Sequence, residues 1–364
     1  MSFKLAVLPG DGIGPEVTGE ALKLLKAIVE KDSDLEVEIE QYDIGGASID
    51  KFDTPLQEET LADCQAADAI LLGAVGGPKW DELPVHKRPE HALLSLRKQC
   101  ELFANLRPAR VYPALVDSSP LKNEIARDAD LLIVRELTGG LYFALPRGIE
   151  GQGAKRRGFN TLSYTALEVE RITEVAVNAA RARSGRLTSV DKANVLECSK
   201  VWRETVLDTV PDDIELNHLY VDNAAMQLIR DPSQFDVMVT TNMFGDILSD
   251  AASQITGSIG LLPSASLGEG TLGMYEPVHG SAPDIAGEEK ANPLATILSL
   301  AMMFRYSFEE PKWANVIEEA VENTVNRGCR TADMYHPEGE YLSTSEMGQE
   351  VLNELEKLEA DGGN

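Results

Sequence analysis

The 364-residue chain carries 33 Lys and Arg against 60 Asp and Glu, a formal net charge of −27, and 43% of it is hydrophobic. The length exceeds one ordinary core and predicts two domains of a globular protein. The acidic balance excludes nucleic acid as a general partner, because nothing here would release phosphate counterions, and no apolar run reaches the length of a membrane span.

The opening MSFKLAVLPG reads as a strand and a turn, with none of the parts of a signal peptide. Cys64, Cys100, Cys198 and Cys329 lack metal-ligand or redox spacing, which predicts a reducing, cytoplasmic setting. Residues 3–8 form a buried strand that enters Pro9-Gly10-Asp11-Gly12-Ile13-Gly14-Pro15 and then an amphipathic helix to about Val29. This is not a Rossmann fingerprint: the third glycine comes one residue early, and Pro15 takes the helix N1 position. Residues 35–42 alternate apolar and acidic side chains, as a half-buried strand does. Residues 68–73 are a continuous buried strand leading into the loop Ala74-Val75-Gly76-Gly77-Pro78. Strands alternating with helices in this way predict α/β architecture.

Pro89 suits a helix start, and Glu90, Leu93, Leu94 and Arg97 follow at i, i+3, i+4 and i+7. One helix face therefore shows a carboxylate, two leucines and a guanidinium over about 10 Å. Such a face is either an amphipathic core helix with charged ends or a ligand wall. Arg107 and Arg135 follow at strand positions, where a guanidinium fork matches a carboxylate. The run Thr138-Gly139-Gly140-Leu141-Tyr142 places a phenol just beyond Arg135. Residues 151–164 read as a projecting hairpin with a strand at 159–164, a dimerisation arm, and residues 165–184 as a long helix. A strand at 187–190 then enters Asp191-Lys192-Ala193-Asn194-Val195, where Lys192 is either solvated or, beside a cation and a guanidinium, a base near neutral pH.

Strands at 216–221 and 235–240 each give way to a helix. Asp222 stands where the first strand ends, and Asp246 and Asp250 lie one turn apart on one face of the second helix. Two like charges at that spacing repel, so the pair is either a solvated acidic face or one side of a divalent-cation site. Past residue 310 the pattern is structural. Ser343-Thr344-Ser345-Glu346 is a capping box for a last helix, and Asp361 to Asn364 is expected to fray.

Six segments stand in one order: GDGIGPE at 10–16, LRPAR at 106–110, RELTGGLYF at 135–143, DKANVLE at 191–197, NMFGDILSD at 242–250 and EPVHGSAPDIAG at 276–287. In these the chain resembles the metal-dependent β-decarboxylating dehydrogenases, the isocitrate/isopropylmalate dehydrogenase family, and most of all its isopropylmalate branch. The resemblance implies a two-domain α/β fold with a mixed sheet, one domain from residues 1–99 plus 255–364 and the other from 100–254. It implies Mg²⁺ or Mn²⁺ on Asp222, Asp246 and Asp250, carboxylates clamped by Arg97, Arg107 and Arg135, and proton transfer by Lys192 and Tyr142. A homodimer is implied in which Lys192 and Asp222 complete the partner's site.

The implied reaction is oxidative decarboxylation of (2R,3S)-3-isopropylmalate to 4-methyl-2-oxopentanoate, a step of leucine biosynthesis. Tartrate, D-malate or homoisocitrate dehydrogenase on the same scaffold, or a non-catalytic regulatory relative, are the alternatives. Glu90, Leu93 and Leu94 would face the substrate's alkyl group, where isocitrate enzymes place small polar residues, and Val195 would also bind the substrate. For the cofactor, NAD⁺, the resemblance implies Ile13, Gly76, Glu276, His279, Gly280, Ser281, Ala282, Pro283, Asp284, Ile285 and Asn292. Asp284 would accept from the ribose hydroxyls and repel a 2′-phosphate, and Asn292-Pro293 would open the next helix beside the adenine.

Overall fold

In a computed structural model, residues 1–335 and 339–362 are described. The first third forms β1 (Ser2–Gly10), α1 (Gly14–Lys31), β2 (Glu36–Gln41), α2 (Gly46–Phe52), α3 (Glu58–Ala66), β3 (Ala69–Ala74) and α4 (Pro89–Gln99). Next come β4 (Ala104–Arg110), α5 (Asn123–Ala126), β5 (Asp130–Glu136), β6 (Gly148–Glu150), β7 (Arg157–Phe159) and α6 (Ala166–Arg181). They are followed by β8 (Arg186–Asp191), α7 (Glu197–Thr209), β9 (Glu215–Tyr220), α8 (Val221–Arg230), β10 (Val237–Thr240) and α9 (Asn242–Ile255). The chain closes with β11 (Pro263–Leu267), β12 (Gly273–Pro277), α10 (Leu294–Tyr306), α11 (Pro311–Asn326) and α12 (Thr344–Gly362).

Ten strands make one sheet in the order β2-β1-β3-β12-β11-β4-β5-β10-β8-β9. Both ends are parallel, as continuous apolar runs such as β3, buried at every position, require. The centre is antiparallel: β11 pairs with β12 on one side and β4 on the other, and β4 pairs with β5. Strands from residues 2–74 and 263–277 therefore lie on one side of the β11–β4 seam, and strands from 104–240 on the other.

Helices cover both faces. The largest apolar cluster joins one face to α1, α6, α10, α11 and α12, and α10 is buried from Leu294 to Phe304. On the opposite face, Ala109, Leu131 and Ile133 pack against Leu228 of α8 and Leu248 and Ala252 of α9, while Leu8 and Leu72 pack against Ala92 and Leu96 of α4. That second face carries the site residues, because alternation along β4 and β5 turns Arg107 and Arg135 toward α9.

The hairpin differs from the expectation. β6 and β7 pair over only three residues each, and 160–164 is not a strand. Tyr164 leaves the arm because its ring is needed inside: it meets Trp202 edge-on, and its hydroxyl accepts from the Asn242 backbone N–H at 2.9 Å. The helix expected at 165–184 ends at Arg181, and the helix after Asn292-Pro293 starts at Leu294, whose N–H is capped by Asn292 at 3.0 Å. Ser343 and Glu346 cap α12 reciprocally, and the tail expected to fray ends in residues 363–364, outside those described. No helix among the described residues is long and apolar enough to cross a membrane.

Thr165 caps α6 in a full capping box with Glu168. Replacing it with Ala leaves a first-turn N–H without its acceptor and should lower unfolding stability by about 1 kcal/mol in a urea titration. An unchanged midpoint would show that the box contributes nothing here.

Candidate active site

A cleft of about 470 Å³ opens where α4, the ends of β3, β4 and β5, the turn after β5, α9 and the loop after β12 meet. It brings together Glu90, Leu93, Leu94, Arg97, Arg107, Arg135, Tyr142, Asp246, Glu276, His279 and Gly280. α4 divides as its spacing predicts: Ala92 and Leu96 enter the core, while Glu90, Leu93, Leu94 and Arg97 line the cleft. The Arg97 side chain is buried and donates through Nη2 to Glu276 Oε1 at 2.7 Å.

Arg135 lies on β5 with its stem beneath α9. A Cβ added at Gly245 would come 2.6 Å from Arg135 Cγ, which explains the glycine inside the helix. Arg135 Nη1 reaches Asp246 Oδ1 at 2.5 Å, and Nε and Nη2 both donate to Asn242 Oδ1, at 3.2 and 2.8 Å. Arg107 Nη1 donates to Ser249 Oγ at 2.7 Å and stands 3.7 Å from Asp246 and 3.6 Å from Asp250. The positive charge that the Asp246–Asp250 pair needs thus comes, within one chain, from two strand arginines. Burial pushes the Arg135 pKa down to about 10, with Arg107 adding repulsion, and it stays charged near neutral pH. Burial also lowers Arg107 and raises Asp250, the latter opposed by Arg107.

Tyr142 is aimed by the turn before it. Glu136, fully buried, accepts from Thr138 N–H and Oγ1 at 3.0 Å and from Gly139 N–H at 2.8 Å. Gly140 has φ +70°, and a Cβ there would meet Tyr164 Oη at 2.2 Å, so this position needs glycine twice over. Tyr142 Oη donates to Asp246 Oδ2 at 2.9 Å. Burial first and Asp246 second raise the phenol above its ordinary pKa, so it keeps its proton near neutral pH.

Lys192, Asp222 and Val195 do not line this cleft. Lys192 pairs with Asp222 instead, and that hydrogen bond holds the carboxyl below its usual pKa. The turn carrying Lys192 is fixed by Asp191, which accepts from Ala193 N–H and takes Arg203 in a two-pronged pair at 2.8 and 2.9 Å. Val195 is 66% exposed. No group of three or more His, Cys, Asp or Glu fit to hold a metal occurs among the described residues. Asp246 and Asp250 nevertheless supply two hard oxygen donors, the chemistry a divalent cation takes.

The residues expected to meet the cofactor form a second wall. Ile13 N–H donates to Ser281 O at 2.8 Å, and Ser281 Oγ to Gly76 O at 2.8 Å. Gly12 has φ +58°, and a Cβ there would lie 1.9 Å from Ser281 O, so the turn and the loop fit only with glycine. Ala282 and Ile285 pack on Ile13, Val17 and Ala291, leaving Pro283 and Asp284 exposed at the tip. His279 Nδ1 meets Gly280 O at 2.9 Å, while its buried Nε2 has no partner, and burial lowers its pKa. Asn292 spends its carboxamide on Leu294 N–H and Asp333, both at 3.0 Å.

Four further residues hold the site together, and the sequence reading gave none of them a role. Asn105 and Asn242 grip the two strand arginines, and Glu136 fixes the tyrosine turn. Asp11 accepts three backbone N–H groups, from Gly46, Ala47 and Gly76, each at 2.8 Å.

The chain matches the family model described as isocitrate/isopropylmalate dehydrogenase over residues 4–351. The 3-isopropylmalate dehydrogenase of Chromohalobacter salexigens is 58% identical over 355 residues, 97% of this chain and 98% of the relative. The chloroplastic 3-isopropylmalate dehydrogenase 1 of Arabidopsis thaliana is 55% identical over 357 residues, 97% and 87% of the two chains. Among solved structures, isocitrate dehydrogenase from Methylococcus capsulatus superposes with a TM-score of 0.84 at 33% identity, covering 97% of this chain and 99% of that one. A β-decarboxylating dehydrogenase from Thermococcus kodakarensis superposes at 0.80 with 34% identity, covering 98% and 97%.

Replacing Asp11 with Ala would leave three N–H groups at the cofactor-side wall without their acceptor. Stability should fall by at least about 2 kcal/mol on urea unfolding. A loss of only a few tenths would mean that water replaces the carboxylate without cost.

Proposed function

The chain belongs to the isocitrate/isopropylmalate dehydrogenase family, and from that premise we propose that it is an NAD⁺-dependent enzyme that oxidises and decarboxylates (2R,3S)-3-isopropylmalate to 4-methyl-2-oxopentanoate in leucine biosynthesis. The observation that carries this substrate is the α4 face. Leu93 and Leu94 line the cleft beside Arg97, with Glu90 one turn away. A branched alkyl group gains about 0.8 kcal/mol for each methylene buried there. A third carboxylate would meet two leucines and a like charge, a penalty of roughly 2 kcal/mol or more. Charge therefore favours an alkyl malate over isocitrate.

Arg97, Arg107 and Arg135 bind the two carboxylates, Arg135 taking the one that leaves as carbon dioxide. Asp246, Asp250 and a second copy's Asp222 would hold Mg²⁺ or Mn²⁺. When bound, the cation lowers the pKa of the substrate hydroxyl and withdraws electrons during decarboxylation. A second copy's Lys192 takes the hydroxyl proton, and Tyr142 Oη, protonated near neutral pH, returns a proton to carbon 3. Ile13, Gly76, Glu276 and residues 279–285 face the nucleotide, with Asn292 on the adenine side. An exposed carboxylate at Asp284 favours NAD⁺ over a 2′-phosphorylated cofactor.

The proposal places the cleft between two domains, residues 1–99 plus 255–364 and residues 100–254. The sheet supports it, since these segments supply opposite sides of the β11–β4 seam. A homodimer explains why Lys192 and Asp222 stand outside the cleft of their own chain, and exposed Met226, Ile229 and Ile247 give α8 and α9 an apolar surface for it.

Initial rates with isopropylmalate, D-malate, tartrate, homoisocitrate and isocitrate, using NAD⁺ and Mn²⁺, test the substrate. Isopropylmalate should lead, and chelation should abolish turnover. Leu94→Ser combined with Glu90→Ser should erode that preference by about tenfold or more, and an unchanged ranking would remove α4 from the pocket. Mixing Lys192→Ala subunits with Tyr142→Phe subunits tests the shared site. Random pairing should restore about a quarter of wild-type activity, because only mixed dimers hold one intact site. No recovery after demonstrated subunit exchange would place both residues in one chain's site.

A further inference from the structure

The cleft gathers three buried arginines inside a chain of net charge −27. Those three arginines stand against four carboxylates, Glu90, Glu276, Asp246 and Asp250, so negative charge already outnumbers positive and any more placed behind a guanidinium would count against an anionic ligand. How each guanidinium is held therefore matters as much as where it points. Arg97 is backed by an acid, Glu276, which offsets its charge. Arg107 and Arg135 are backed by amides.

Asn105 Oδ1 accepts from Arg107 Nε at 2.8 Å, while Nδ2 donates to Ser264 Oγ at 2.7 Å and to Ala265 O and Ser266 Oγ at 3.2 Å. Asn242 Oδ1 accepts from Arg135, and Nδ2 donates to Leu137 O at 2.8 Å and Gly139 O at 3.3 Å. Both asparagines are fully buried, and Asn105 lies directly across the β4–β5 ladder from Arg135. Oxygen faces the arginine and nitrogen faces carbonyls or hydroxyls in both cases, so each amide has one orientation that satisfies it.

We propose that Asn105 and Asn242 are charge-preserving positioning residues: they aim the Arg107 and Arg135 forks into the cleft without neutralising them. The inference rests on reading the cleft as a dicarboxylate site and adds what keeps it attractive to a dianion. A carboxylate could hold either fork as firmly, since charge-assisted hydrogen bonds are the stronger kind. It would also place a buried negative charge behind the fork and tip the cleft against an anionic substrate. The two roles an asparagine can play, mechanical clamp and neutral clamp, therefore predict opposite outcomes for Asn→Asp.

At Asn105 the change keeps the side chain's shape, and the Ser264 and Ser266 hydroxyls can turn to donate to the new oxygen, leaving the 3.2 Å contact with Ala265 O as the hydrogen bond that is lost. Oxalate is the probe, a small dianion that the arginines should bind whatever the natural substrate, so an error in the substrate assignment stays separable. By titration calorimetry, Asn105→Asp and Asn242→Asp should weaken oxalate binding by about thirtyfold or more, and Asn105→Ser by less than about fivefold. The KM for isopropylmalate should rise in parallel while the KM for NAD⁺ stays within about twofold. Folded Asp variants that bind oxalate as the wild type does would overturn the proposal. If neither Asp variant folds, Asn105→Ser and Asn242→Ser decide: a loss of dianion affinity beyond about tenfold in these neutral variants would overturn it as well. Wild-type protein that binds oxalate but does not turn over isopropylmalate would sink the substrate assignment and leave this inference standing.

Discussion

Two guanidinium groups taken out of water by a β-sheet, and the carboxylates of one helix laid over them, are the constraint on which this structure turns. Arg107 and Arg135 sit on adjacent antiparallel strands, and neither is solvated enough to be stable without partners. Asp246 and Asp250 of α9 supply charge from above, Ser249 and the two asparagines supply acceptors from the sides, and Gly245 lets the helix come close. The arrangement is left deliberately unfinished on the cleft side. Asp250 keeps a largely exposed carboxylate, and Tyr142 brings a proton to the other side of Asp246. Under the proposed function an anion and a cation would be gathered here, and both signs stand within a few ångströms of each other.

The sheet makes that possible through its antiparallel centre. A purely parallel sheet would bring strand C-termini together and leave β4 and β5 pointing one way. Here β4 runs against both β5 and β11, so arginines from the middle of the chain lie within reach of Glu276 from β12 and of Arg97 on α4. The Arg97–Glu276 bridge spans 179 residues of sequence and ties α4 to β12 on one side of the seam, close to the cleft. Breaking one partner would leave a buried charge alone, which is far costlier than the pair is stabilising.

Local signals were legible where they are local. The α4 face, the turn before Tyr142, the Asp246–Asp250 spacing and the Ser343–Glu346 capping box follow from periodicity and turn chemistry, and the structure has each of them. Six ordered segments carried the family. What the sequence could not show is who meets whom across the sheet. Nothing near Asn105 says that its amide will hold Arg107, since Ser264 and Ser266 arrive from β11 only through the strand order. Asp11 looked like part of a glycine turn and proved to be the acceptor that ties three loops together. The strand at 159–164 was misread because Leu162 and Tyr164 are apolar for the core and not for an arm.

The proposed function requires that the α9 carboxylates form part of a cation site which one chain cannot complete. An anomalous-difference map from crystals of the protein grown with Mn²⁺ and isopropylmalate tests it most directly. One peak per cleft is expected, bound by Asp246 and Asp250 of one chain and by Asp222 of a second, with the Arg107 and Arg135 forks turned onto the ligand carboxylates. A peak ligated without Asp246 and Asp250, or with Asp222 paired to Lys192 and remote from every peak, would contradict it.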